Sequence, residues 1–298
     1  MPAQDMSRRA FMALGGGALL LAACGGSSSS TKGAGGSGTS GPAGLSAFRM
    51  EIEPYVSPTP QRFAFILINN KNQGFASGPK SSLSIAPPGG SYGAPMPAIL
   101  HTDGLPAGRG VYVVEPTLTT PGNWRGKVSI DGHPDAELAF PVSADPDTPT
   151  VGSMARVLAT PTTAAPLGTN PLCTRTDANN KPAPCAFHQT SLDQVAGKGK
   201  PVVVMFATPA RCQSRYCGPV LDQLIASAPQ YADRITPIHV EIYKDLRSND
   251  LVTATDAWLG ASGEPWIFAM DGTGKITGRL SGAFATDEIR ALLDTTIA

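Results

Sequence analysis

From Leu45 to Val142 the apolar residues recur at every second position. Phe48, Met50 and Ile52 alternate, as do Phe63, Phe65 and Leu67, then Leu83 and Ile85, and Tyr112 and Val114. Trp124, Val128 and Ile130 follow the same rule, and Ala136, Leu138, Phe140 and Val142 close the series. A period of two places alternate side chains on opposite faces of a strand, so each segment predicts a strand with one face buried. The clusters Pro87 to Gly90, Thr120 to Gly122 and Asp131-Gly132-His133-Pro134 supply turns between them, the last joining the final two strands as a hairpin.

About seven short strands in some 100 residues predict an all-β domain over 45–142, an immunoglobulin-like sandwich. It contains no cysteine, so Trp124 is expected to fill the core without a bond between sheets. His101 and His133 each stand without a second ligand at metal spacing and read as surface or loop residues. Residues 143–167, with Pro146, Pro149, Pro161 and Pro166, predict an extended interdomain linker.

The pattern changes again within 168–298. Ser191 to Gln194 has the form of a capping box and opens a short helix. Pro201 to Ala207 is a continuous apolar run, which predicts a strand buried on both faces. Leu221, Leu224, Ile225 and Ala228 share one helix face after Pro219. A strand over Ile235 to Tyr243, a helix over Leu251 to Leu259, a hairpin of Trp266–Met270 with Lys275–Leu280, and a helix over Asp287 to Leu293 complete the series.

Charge narrows the function. The 298 residues carry 23 basic and 23 acidic side chains, so no strong field exists to hold nucleic acid. The five cysteines are read with the N-terminus. Arg8 and Arg9 precede an uncharged apolar stretch from Ala10 to Ala23, too short for a spanning helix, which predicts a signal segment over 1–23. Leu21-Ala22-Ala23-Cys24 resembles the bacterial lipobox, which implies that Cys24 receives a diacylglycerol and anchors the chain on the outer face of a bacterial membrane. Ser7 to Met12 resembles the twin-arginine export motif, although Ala13 stands where the usual lysine would be. Eight Gly and six Ser among residues 25–44 predict a flexible tether spanning roughly 25 Å.

The order helix, strand, helix, strand, helix, hairpin, helix resembles the thioredoxin fold from His188 onward. Tyr216-Cys217-Gly218-Pro219-Val220 matches the thioredoxin signature except that Val220 replaces its second cysteine, and Glu264-Pro265-Trp266 stands where that family has its cis-proline. The resemblance implies thiol–disulfide exchange in the cell envelope, with exported thiol or disulfide proteins as partners. Cys212 lies five residues before Cys217, giving CxxxxC. Five residues on a helix rise about 7.5 Å and turn the side chains apart, so Cys212 must curl back from a loop to meet Cys217 at the helix mouth. On this reading Cys217 attacks and Cys212 resolves, with Gly218, Pro219, Glu264 and Pro265 in support. The helix N-terminus and Arg211 or Arg215 favour a thiolate at Cys217, and the Glu264 carboxylate opposes it.

Cys173 and Cys185 enclose 11 residues and are expected as a structural disulfide worth roughly 3 kcal/mol. No cofactor and no resident metal are expected. Two alternatives stay open: a non-catalytic binding lipoprotein whose disulfides are all structural, and a Cu(I) carrier using the two active-site thiols with His188 or His239 as third ligand.

Overall fold

The computed structural model describes residues 44–69, 78–212 and 214–298. The expected signal segment, the lipidation expected at Cys24 and the expected tether up to residue 43 lie outside the described residues. Among the described residues no helix is long and apolar enough to cross a membrane.

The described residues of the first region fold as eight strands. They are β1 (Ser46–Arg49), β2 (Phe63–Ile68), β3 (Ser81–Ala86), β4 (Met96–Pro97), β5 (Ile99–His101), β6 (Val111–Val114), β7 (Gly122–Ile130) and β8 (Ala136–Val142). They form two four-stranded antiparallel sheets, ordered β1-β2-β6-β5 and β4-β3-β7-β8. The alternating residues meet between the sheets, where Phe63, Phe65, Leu67, Tyr112, Trp124, Val128, Leu138 and Phe140 share one core. Trp124 does not fill it alone. Its ring stacks on Phe140 at 6.4 Å, Phe140 packs on Phe63 at 4.5 Å, and its indole N–H donates to Thr120 O at 2.8 Å. His133 closes the β7–β8 hairpin, its amide donating to Ile130 O.

The second region contains α1 (Leu192–Val195), β9 (Val202–Phe206), α2 (Cys217–Ser227), β10 (Thr236–Val240), α3 (Thr253–Leu259), β11 (Trp266–Met270), β12 (Ile276–Ser281) and α4 (Thr286–Ile297). The sheet order is β10-β9-β11-β12, with β10 parallel to β9 and the other pairs antiparallel. Every residue of β9 is buried because both faces are covered. Val203 and Met205 face a core shared with α2 and α4, while Val202, Val204 and Phe206 face one shared with α1 and α3.

The two regions share a core. Strand β6 is buried at all four positions: Tyr112 and Val114 point between the first two sheets, while Val111 and Val113, with Ala64 of β2, join the α2–α4 core. Arg62 crosses this junction. Its guanidinium meets Glu51 at 3.2 Å and Glu288 of α4 at 2.6 Å, and donates to Ala283 O. Burial opposes its charge, but the two carboxylates outweigh that and raise its pKa. Gly282 closes the contact at φ +66°, since a Cβ there would lie 1.9 Å from Met50 O.

The segment 143–167 packs as a strap, with turns at 150–153 and 162–165. Glu53 accepts from the amides of Asp147 and Thr148, Thr160 N donates to Ser191 Oγ, and Trp258 Nε1 donates to Arg156 O. Thr148, Thr160 and Thr162 are buried. Its prolines suit such a strap because they donate no backbone hydrogen bond and need no ladder.

Candidate functional site

The loop from β9 to α2 brings Cys212 back to Cys217. A single 3₁₀ turn, Pro209–Arg211, leads to Cys212 in extended conformation. Arg215 takes a left-handed conformation at φ +61°, which reverses the chain before Tyr216 caps α2. The two sulfurs are bonded, with Cα atoms 5.9 Å apart, and the Cys217 amide points at Cys212 Sγ from 3.2 Å. Cys217 is fully buried, whereas Cys212 is partly exposed. Gly218 and Pro219 continue the first turn of α2, and Val220 is buried among Leu221, Leu224 and Ile289. The family's second cysteine position is therefore a core position here.

Glu264 and Pro265 sit opposite, joined by a cis peptide bond. Glu264 Oε2 lies 3.5 Å from Cys217 Sγ and accepts from Thr208 N at 2.5 Å. Burial pushes this carboxyl up to about 7, against the hydrogen bond from Thr208. At neutral pH it is poised between acid and base. The arginines expected to favour a thiolate are placed otherwise. Arg211 stacks over the Tyr243 ring at 3.9 Å and donates to Ser248 O and Asn249 Oδ1, while Arg215 is exposed. Glu264 is thus the titratable group that touches the sulfur.

Cys173 and Cys185 are two thiols in this structure, not the expected disulfide: their sulfurs lie 3.9 Å apart and are unbonded. They close a small hairpin in which Thr176 pairs with Pro182, turned by Asp177 to Asn180. Arg175 ties this hairpin to α2 through Asp222 at 2.5 Å. The hairpin sits over the β10 edge, where the His239 amide donates to Phe187 O at 3.0 Å.

Two histidines complete the cluster. His239 Nδ1 lies 3.5 Å from Cys185 Sγ, 3.8 Å from Cys173 Sγ and 3.1 Å from His188 Nε2. Cys173 is held well below the ordinary thiol range, by its contact with Cys185 first and then by the two imidazoles against its burial. His188 is pushed down by burial. Both histidines meet the Cys173–Cys185 cluster and, among the described residues, no bond joins them to Cys212 or Cys217, so the third ligand imagined for a copper carrier on that pair belongs to another cluster. His101 pairs with Asp287 at 2.6 Å.

The two clusters are joined by protein bonds. Thr174 Oγ1 accepts from Ala210 N at 3.2 Å, and Thr174 N donates to the buried Glu241 at 2.6 Å. The cluster was reachable from the chain at one point: Cys185 and His188 stand three residues apart, a short ligand-like spacing. His239 lies 51 residues further on and only folding brings it there.

Residues 188–297 match the family model of the thioredoxin-like domain. The C-terminal part of the chain is therefore a thioredoxin-like domain. A structure described as the thiol:disulfide interchange protein DsbE from Chlorobium tepidum is similar at 14% identity and a TM-score of 0.35, covering 50% of this chain and 99% of its own. A second, described as a thiol:disulfide interchange protein of the thioredoxin family from Chlorobium tepidum TLS, is similar at 14% identity and a TM-score of 0.34, covering 51% and 100%. No curated protein matches the chain.

Proposed function

We propose that this protein is a lipid-anchored thiol–disulfide exchange protein of the bacterial cell envelope, reacting through Cys212 and Cys217. The observation that carries the reading is a disulfide at the N-terminus of α2 with the Glu264 carboxyl 3.5 Å from its buried sulfur. An acid–base group at that distance, titrating near neutrality, has a task in exchange and none in a permanent staple.

Exposure sets the order of events. An incoming thiolate needs an accessible sulfur, and Cys212 is the accessible one, so Cys212 rather than Cys217 forms the mixed disulfide. When the pair acts as oxidant, a substrate thiolate attacks Cys212 Sγ and Cys217 leaves as a thiolate, taking a proton from Glu264. A second substrate thiolate then attacks the substrate's own sulfur in the mixed disulfide and frees Cys212. The substrate is oxidised by two electrons and the pair is reduced by two. Acting as reductant, the same steps run backward, with Glu264 accepting the Cys217 proton.

The remaining features fit that setting. Cys24 carries the acyl chains, residues 25–44 let the folded part stand off the membrane, and export follows a twin-arginine or general secretory signal. The two sheets of the first region form an immunoglobulin-like sandwich that serves as a rigid base, since Arg62 and the shared core bind it to α4. An insulin-reduction assay tests the activity: the wild type accelerates turbidity in the presence of dithiothreitol, and a Cys212→Ser/Cys217→Ser variant does not. Equal rates for both proteins would remove the proposal.

A further inference from the structure

Cys173, Cys185, His188 and His239 each offer one ligand atom, and the four atoms lie within 4.8 Å of one another. Their separations have a pattern. In a tetrahedral zinc site with Zn–S of about 2.3 Å and Zn–N of about 2.0–2.1 Å, ligand atoms sit about 1.63 bond lengths apart: about 3.8 Å for S to S, about 3.6 Å for S to N and about 3.3 Å for N to N. The cluster has 3.9 Å between the sulfurs, 3.5 and 3.8 Å from the sulfurs to His239 Nδ1, and 3.1 Å between the imidazole nitrogens. Four of the six edges are within about 0.2 Å of that tetrahedron, and the two from His188 to the sulfurs lie within 4.8 Å, so a small turn of the His188 ring closes the set. A disulfide would need the sulfurs at about 2.05 Å.

The surroundings complete the pattern. His239 Nε2 meets Ala207 O at 2.9 Å, which fixes the proton on Nε2 and leaves the Nδ1 lone pair facing the sulfurs. That is the outer hydrogen bond ligating imidazoles generally possess. His188 Nδ1 has no such partner among the described residues, so His239 is the better oriented of the two. Both imidazoles are buried and both thiols partly buried, and four protein ligands fill a tetrahedron with no open position for substrate.

We infer that Cys173, Cys185, His188 and His239 form a closed tetrahedral Cys₂His₂ site for zinc(II), separate from the Cys212–Cys217 pair. Two soft thiolates and two imidazoles in this geometry suit zinc, whereas Cu(I) is served by fewer, softer ligands. The ion clips the 173–185 hairpin to the edge of β10. Through Thr174 Oγ1 and the Ala210 amide it steadies the loop that delivers Cys212. Binding expels two thiol protons and involves no electron transfer. The inference does not rest on the exchange activity, because none of its ligands takes part in it.

The test uses the full chain with Cys212–Cys217 oxidised. Elemental analysis after purification in zinc-containing buffer is expected to give one zinc per chain. Cobalt(II) added to chelator-treated protein should produce the visible bands of a tetrahedral thiolate-bound ion. Cys212→Ser/Cys217→Ser should keep both signals, and Cys173→Ser, Cys185→Ser and His239→Ala should lose them. Because those variants could fail to fold, the wild type carries a second readout: zinc should slow alkylation of Cys173 and Cys185, read by mass spectrometry, at least tenfold. The inference is overturned if the wild type binds no zinc after selective reduction, if it takes Cu(I) but not zinc, or if binding follows Cys212 and Cys217.

Discussion

The carboxyl of Glu264 stands 3.5 Å from the sulfur of Cys217, on the residue preceding a cis proline. Burial raises that carboxyl to about 7. Its protonation therefore changes near neutral pH, next to the Cys217 sulfur. The helix N-terminus favours a thiolate and the ionised carboxylate opposes it, so the local balance is itself set by pH.

Exchange by the wild type is expected to vary with pH through an inflection near 7, and Glu264→Gln should abolish it. The sign reports direction: a rate that rises with pH means the carboxylate accepts the Cys217 proton and the pair reduces, while a rate that falls means the acid donates it. General acid–base catalysis contributes typically 10²-fold or more, so the variant should lose about that much at pH 7. Stopped-flow kinetics from pH 5 to about 9 checks both.

The same group links stability to pH. The folded state holds its proton up to about 7 and the unfolded state only to 4.5, so between those values the folded state binds more protons and stability falls as pH rises. Below 4.5 the group contributes no slope. Urea midpoints measured at pH 5 and 7 should therefore differ less for Glu264→Gln than for wild type, by on the order of 2–3 kcal/mol when converted.

The thioredoxin-like order of elements was legible because its signals are local: a continuous apolar β9, a helix opening near Pro219 and a Gly-rich hairpin between β11 and β12. The two short strands β4 and β5 were not, since two and three residues cannot show a period. The alternation in β6 hid the second buried face, because Val111 and Val113 are covered by α2 and α4, which lie more than 100 residues away in the chain. The cysteine clusters divided in the same way. Cys212 and Cys217 could be joined by reasoning about one helix mouth, but Cys173, Cys185 and His239 meet only when a hairpin lands on the edge of β10.

Mixed-disulfide trapping should separate the roles of the two sulfurs. Cys217→Ser leaves the exposed Cys212 and is expected to accumulate covalent complexes with thiol substrates, seen on non-reducing gels. Cys212→Ser leaves only the buried Cys217 and should trap little. The reverse pattern would reassign attack to Cys217.

Arg62→Ala should cost about 3–5 kcal/mol, because it leaves Glu51 and Glu288 buried without a cation. Lys127→Ala, by contrast, removes an exposed pair with Asp135 at 3.9 Å and should shift the denaturant midpoint very little. Chemical denaturation of both variants makes the comparison.

Cys24→Ser should release the protein from membranes into the soluble envelope fraction and abolish labelling by a fatty-acid analogue, with the folded part unchanged by circular dichroism. Retention in the membrane fraction without label would mean that something other than the lipid holds it.

The most direct measurement of the exchange function is the reduction potential of the Cys212–Cys217 pair, taken by equilibration against glutathione or dithiothreitol with mass-spectrometric quantification. A functional pair is expected above about −300 mV, in the range of exchange proteins. A value below about −300 mV would place the bond among structural disulfides and contradict the account.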